Sequence, residues 1–255
     1  MKKRKIIGIT LICLLSVSAL ICGGVFLHQY FDAQNSAAAF DELAGLVVEV
    51  TPPAPDVSDA EGEEPSAAEA ELAQERYGAL FEQNNDFVGW ISIDETSIHY
   101  PVMQTPDNPD YYLKHGFDKA YSNYGVPYID EGCAPGLSNN IVIYGHHMND
   151  GTMFADLCGY ADRGFYEGHK TIRFDTLSGS GEYEVVAAFR FNTNRDTFRY
   201  NEYTNMDEAE FAEFLENVRA RALYDTDMEV SISRSRSRSA AVRRRFCELY
   251  QRSNS

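Results

Sequence analysis

Twenty-two uncharged residues in a row, Ile6 to Leu27, set the first limit on what this chain can fold into. At ~1.5 Å per residue, a helix of that length crosses a hydrocarbon core of ~30 Å. Lys2, Lys3, Arg4 and Lys5 stand just before the run. That charge placement keeps an N-terminus in the cytoplasm. A cleaved signal peptide has a shorter apolar region followed by a small-x-small site; this run is long and no such site follows it. The expectation is a single-pass anchor at the cell membrane: a basic cytoplasmic start over 1–5, a transmembrane helix over 6–27, and the remainder outside.

Residues 28–68 include "TPPAPDVSDAEGEEPSAA", rich in Ala, Glu, Asp and Pro. Such a composition buries too little apolar surface to offset chain entropy, so 28–68 reads as a flexible acidic spacer. A domain over 69–230 follows. A helix begins near Ala67, with Ala73, Tyr77, Leu80 and Phe81 on one face, and ends near "NND" at 84–86. Strands are expected where apolar residues alternate: at Ile91 and Ile93, at Ile98, Tyr100 and Val102, and at Ile172 and Phe174. The clearest alternation is Tyr183, Val185, Ala187, Phe189 and Phe191. A later helix has Asn205 as N-cap with Glu208 three residues on, and Phe211, Phe214, Leu215, Val218 and Ala222 on its inner face. Met228, Val230 and Ile232 then alternate as a further strand. By pattern alone this is a mainly β or α+β domain with an N-terminal helix and a late helical insertion.

The net charge of −17 is unevenly spread. Residues 1–230 carry 15 Lys and Arg against 38 Asp and Glu; residues 231–255 carry 7 Arg against one Glu. An acidic outer domain argues against nucleic acid as a partner. Of five cysteines, Cys13 and Cys22 lie inside the apolar run, and Cys133, Cys158 and Cys247 form neither a disulfide framework nor a CxxC metal pattern.

The chemistry centres on "IVIYGHHMND", residues 141–150. Four apolar residues run through Gly145 into His146 and His147. Neighbouring residues on a strand face opposite ways, so the two rings are poorly placed to share an ion, and there is no HExxH. No metal and no cofactor are expected. A buried histidine held by hydrogen bonds is the plain alternative.

The stretch "NNIVIYGHHMNDGTMFADL" resembles the histidine motif of sortases, class B in particular. So do "NNDFVGWISIDETSIHYPVMQTPDNPDYYLKHGFDKAYSNYGVPYID" (84–130), "FYEGHKTIRFDT" and the helix near 207–222. The resemblance covers about residues 70–230. It implies a closed β-barrel of about eight strands and a cysteine transpeptidase, a thiol protease-like hydrolase of Gram-positive surfaces. Such an enzyme cleaves a sorting signal, NPxTx-like in class B. It then passes the surface protein through a thioacyl intermediate to a peptidoglycan or pilin amine. The chemistry needs a thiolate nucleophile, a histidine acid–base and an arginine at the oxyanion. The family histidine follows a Gly at a strand end. This puts His146 in that role and leaves His147 structural. Two departures are Glu95, where the family often has Gly, and His99, where it often has Asp.

The end of the chain departs further. The family places its cysteine in a strand reading TLxTC and its arginine on the next apolar strand. After Ser231 this sequence reads "ISRSRSRSAAVRRRFCELYQRSNS". Three readings stand: Cys247 is a displaced nucleophile, the tail 231–255 is a basic arm for anionic surfaces, or the tail is an out-of-frame reading. In the last case, TCN and CGN codons read one base out of register yield a Thr/Ser–Leu/Val alternation. No arginine can be assigned to the oxyanion. The chain as written is expected to be inactive. It is either a sortase that has lost its cysteine strand or a non-catalytic anchored protein that binds a sorting peptide or the wall.

Overall fold

The structure is a computed structural model. It describes residues 2–48, 67–135, 137–192, 196–228, 230 and 246–253, with 2–6 and 246–253 described as backbone. The contacts divide the chain into two units, Met1–Asp41 and Glu42–Ser255.

The first unit is helical. Helix α1 runs Lys2–Gly45 and contains one segment long and apolar enough to cross a membrane. Its large apolar side chains are exposed, Leu20 at 76 % and Phe26 at 67 %. The helix continues through residues 28–45, a stretch whose composition had suggested a spacer. Alanines 37–39 and the flanking Asp, Glu and Leu are compatible with helix, and hydropathy alone does not register that. The rest of the expected spacer, 49–66, lies outside the described residues.

The second unit is built on one seven-stranded sheet. The strands are β1 (Phe87–Ser92), β2 (His99–Met103), β3 (Tyr128–Ile129), β4 (Asn140–His147), β5 (Thr171–Thr176), β6 (Glu182–Glu184) and β7 (Phe246–Ser253). Their order is β6-β5-β1-β2-β3-β4-β7. Among the described residues the barrel is incomplete, in line with the expected loss of its cysteine strand: the sheet ends at β6 and β7, which do not pair with each other. Closure needs further strands between them, and the preceding tail residues 231–245 lie outside the described residues.

Helix α2 (Ala67–Gln83) buries Ala73, Tyr77 and Leu80. It is joined to the sheet by Tyr77, whose hydroxyl donates to Asp175 Oδ2 at 2.7 Å, and by Arg76 at 3.2 Å from the same oxygen. Burial, reinforced by Asp175, pushes the Tyr77 phenol well above its ordinary pKa, so it stays a donor. A short helix, α3 (Arg163–Gly168), precedes β5. Helix α4 (Glu208–Arg221) buries Phe211, Phe214 and Val218. Its N-cap is Asp207 with Glu210 reaching back, two residues later than the expected Asn205 and Glu208. The reason lies before the helix. Asn139 donates to Met206 O at 2.8 Å and accepts from Met206 N at 2.9 Å, which holds residue 206 outside the helix.

The strict alternation from Tyr183 to Phe191 forms a strand only over Glu182–Glu184. Beyond it, Val185 N–H donates to Lys170 O, while Leu223 N–H and Thr226 Oγ1 donate to the carbonyls of Ala188 and Val186. These bonds to a loop satisfy the backbone without a ladder. The expected strand at 228–232 is likewise absent at Met228 and Val230, and Ile232 lies outside the described residues. Glu95 adopts φ 58°, the left-handed conformation that a glycine takes more readily.

Candidate active site

Strand β4 is the spine of the site. Residues 140–146 are all buried, Val142 and Ile143 fully, so the strand is covered on both faces. This is why its sequence is a continuous apolar run. It ends in His146, which is 4 % exposed. His147, facing the other way, is half-buried and bridges to Met153.

Three segments hold His146. The first is the turn after it. Gly151 takes φ 87°, and Phe154 N–H then returns to donate to His146 O at 2.9 Å. The Phe154 ring, fully buried, lies over Gly145: a Cβ there would sit 2.4 Å from the ring. Only glycine fits before this histidine. The second segment is the short helical turn Tyr111–Leu113. His146 Nε2 lies 2.7 Å from Leu113 O. A carbonyl oxygen only accepts, so Nε2 carries the hydrogen. The third is the bend at Tyr124. The Tyr124 hydroxyl donates to Asp150 Oδ2 and ties that bend to the turn after His146.

Asp150 carries the charge nearest in sequence. Burial raises its pKa, but hydrogen bonds from the Tyr124 hydroxyl and from Thr152 outweigh this and hold the carboxyl below its usual range. With the folded value depressed, its stabilising contribution is complete above the unfolded pKa and is lost as pH falls through the folded one. Asp150→Asn is therefore expected to lower the thermal midpoint at neutral pH, where the contribution is complete, and to leave a shallower further fall in acid. An acid limb as steep as that of the unaltered chain would contradict this.

The second candidate residue is not beside the first. Strands β4 and β7 pair in parallel, with Cys247 in register with Ile141 and Arg252 in register with His146. Cys247 thus lies five positions back along the sheet, ~16 Å at ~3.3 Å per residue. No arginine was assigned from sequence; the register places Arg252 alongside the histidine position. The other described cysteines, Cys13, Cys22, Cys133 and Cys158, stand outside any disulfide, and Cys133 Sγ accepts from Val142 N–H at 3.4 Å. Among the described residues no cluster of His, Cys, Asp and Glu is arranged to hold a metal.

The groups that hold His146 were not singled out by sequence. Leu113 acts through a backbone carbonyl, which has no side-chain signature. Phe154 and Tyr124 are aromatic residues among many. The one available sign was Gly145, a glycine inside an otherwise apolar strand.

A family model described as "Sortase domain" matches residues 91–215. The chain is 37 % identical over 148 residues to sortase B of Listeria monocytogenes and 32 % identical over 161 residues to sortase B of Staphylococcus aureus. These alignments take in 58 % and 63 % of this chain, and the chain spans 58 % and 64 % of those relatives. Among solved structures it is similar to that of sortase B from Listeria monocytogenes. The TM-score is 0.54 at 34 % identity, covering 60 % of this chain and 85 % of that one.

Proposed function

The chain belongs to the class B sortases, and from that membership we propose that its outer domain is a cysteine-transpeptidase scaffold for sorting signals, with the acid–base histidine in place and the nucleophile displaced. In a working site of this kind, a thiolate adds to the threonine carbonyl of an NPxTx-like signal and the peptide C–N bond breaks. His146 gives its proton to the departing amine. An acceptor amine, from peptidoglycan or a pilin subunit, then attacks the thioester and loses a proton to His146, and the thiolate leaves. The observation that carries the proposal is the buried His146 at the end of β4, held by Leu113 O, with Cys247 in register five positions away.

The same observation favours a second reading for the chain as written. A site that keeps its histidine and its walls but no adjacent thiol binds a sorting peptide without cutting it. The anchor is in keeping with this: helix α1 is long and apolar enough to fix the protein to a membrane, and Lys2 to Lys5 favour a cytoplasmic N-terminus. The surface proteins bearing the signal would then be its partners.

A fluorescent NPxTx peptide titrated into the full chain in lipid nanodiscs tests the proposal. Saturable binding above that of a scrambled peptide is expected. Equal binding of both would remove sorting signals as the ligand.

A further inference from the structure

We infer that residues 111–126 form a strap whose task is to fix the His146 ring in one tautomer, with Gly125 and Tyr124 as its positioning residues. The strap folds back on itself. Gly116 N–H donates to Ala120 O at 2.8 Å, Ser122 N–H donates to Lys114 O at 2.9 Å, and His115 pairs with Tyr121. Its two ends meet where Val126 N–H donates to Tyr112 O at 3.0 Å. That closure brings Gly125 against the carbonyl that holds the histidine. At φ 59°, a Cβ on Gly125 would lie 2.4 Å from Tyr112 O, 2.8 Å from Leu113 O and 3.1 Å from Leu113 C. These are backbone atoms and have no rotamer to yield. A side chain there must push the Leu113 carbonyl, and the Leu113 carbonyl is the acceptor of His146 Nε2–H at 2.7 Å. The other side of the strap is tied by Tyr124 to Asp150, on the turn that follows His146. The strap and the turn therefore hold the ring between them.

The consequence is chemical. With Nε2–H committed to a carbonyl, proton exchange with a substrate falls to the other ring nitrogen. The strap chooses which nitrogen works. Calling this choice functional rests on the proposed acid–base role of His146. The tautomer itself does not, and it is read without turnover.

The test is 15N NMR of the full chain in detergent, with labelled histidine and with His146 assigned by its loss in His146→Gln. In the unaltered protein, at a pH where the ring is neutral, a single Nε2–H tautomer is expected, with a slowly exchanging ring proton. Gly125→Ala is expected to mix the tautomers and speed that exchange on the order of tenfold, the worth of one hydrogen bond. Gly179→Ala is the control: it strains another glycine of positive φ, 149°, in the turn between β5 and β6 rather than in a segment that holds the histidine. It should leave the His146 signals unchanged. Tyr124→Phe removes the tie to Asp150 and should speed the exchange less than Gly125→Ala does; it carries the comparison if Gly125→Ala does not fold. An Nδ1–H or mixed tautomer in the unaltered protein overturns the inference, as does unchanged exchange in Tyr124→Phe. Equal effects of the two glycine variants also overturn it. Loss of peptide recognition with the tautomer intact would count against the proposed function instead and leave the strap standing.

Discussion

An NPxTx peptide incubated with the full chain in membrane vesicles is expected to be recovered uncut, with no thioacyl adduct on Cys247 by mass spectrometry. The reason is distance. Covalent catalysis needs reacting atoms held ~3–3.5 Å apart, and correct placement supplies an effective molarity of roughly 10⁵ M or more. In the β4–β7 register Cys247 pairs with Ile141 while Arg252 pairs with His146, so thiol and imidazole belong to positions ~16 Å apart along the sheet. A displacement of that size forfeits essentially all of the proximity term. Efficient cleavage that disappears in Cys247→Ala would show that the tail adopts another register in solution.

Phe154→Ala is expected to destabilise the second unit by ~3–5 kcal/mol, the cost of emptying a fully buried aromatic site. Gly145→Ala alone should cost ~1–3 kcal/mol, because its Cβ drives into the Phe154 ring and adjacent side chains must leave their rotamers. Together the two should cost less than their sum by ~1 kcal/mol or more, since the new methyl enters the space the ring vacates. Trp90, the single tryptophan and buried at 3 % exposure, reports the transition by fluorescence in urea. Strict additivity would mean that ring and glycine do not touch. Because Phe154 N–H also holds His146 O, the ring's loss should loosen the histidine backbone as well.

Much of this architecture was readable before the structure. Alternation located β1, β2 and β5; a continuous apolar run located β4; helical spacing located α2 and α4. Each succeeded because the buried face was complete within the segment. Elsewhere the deciding contact lay elsewhere in the chain. "NMDEAE" contains two acceptable caps with a glutamate three residues on, and Asn139, far away in sequence, selects between them by holding Met206 out of the helix. The alternation from Tyr183 to Phe191 marks a face, but a strand also needs a neighbour, and after Glu184 the backbone bonds to the loop at 223–226 instead. At the site, the motif around Gly145 and His146 was legible, and so was the absence of a motif around Cys247. The strap was not. Its contribution to the histidine is a carbonyl oxygen at residue 113 and an empty Cβ position at residue 125, and neither appears as a chemical group in the sequence.

Cross-strand trapping of Cys247 tests the central claim most directly. In full chains whose other cysteines are replaced by serine, Ile141→Cys and His146→Cys are each paired with native Cys247 under mild oxidation. The register predicts a disulfide at 141 and none at 146. Preferential trapping at 146, or none at either position, would contradict the displaced nucleophile on which this account of the chain rests.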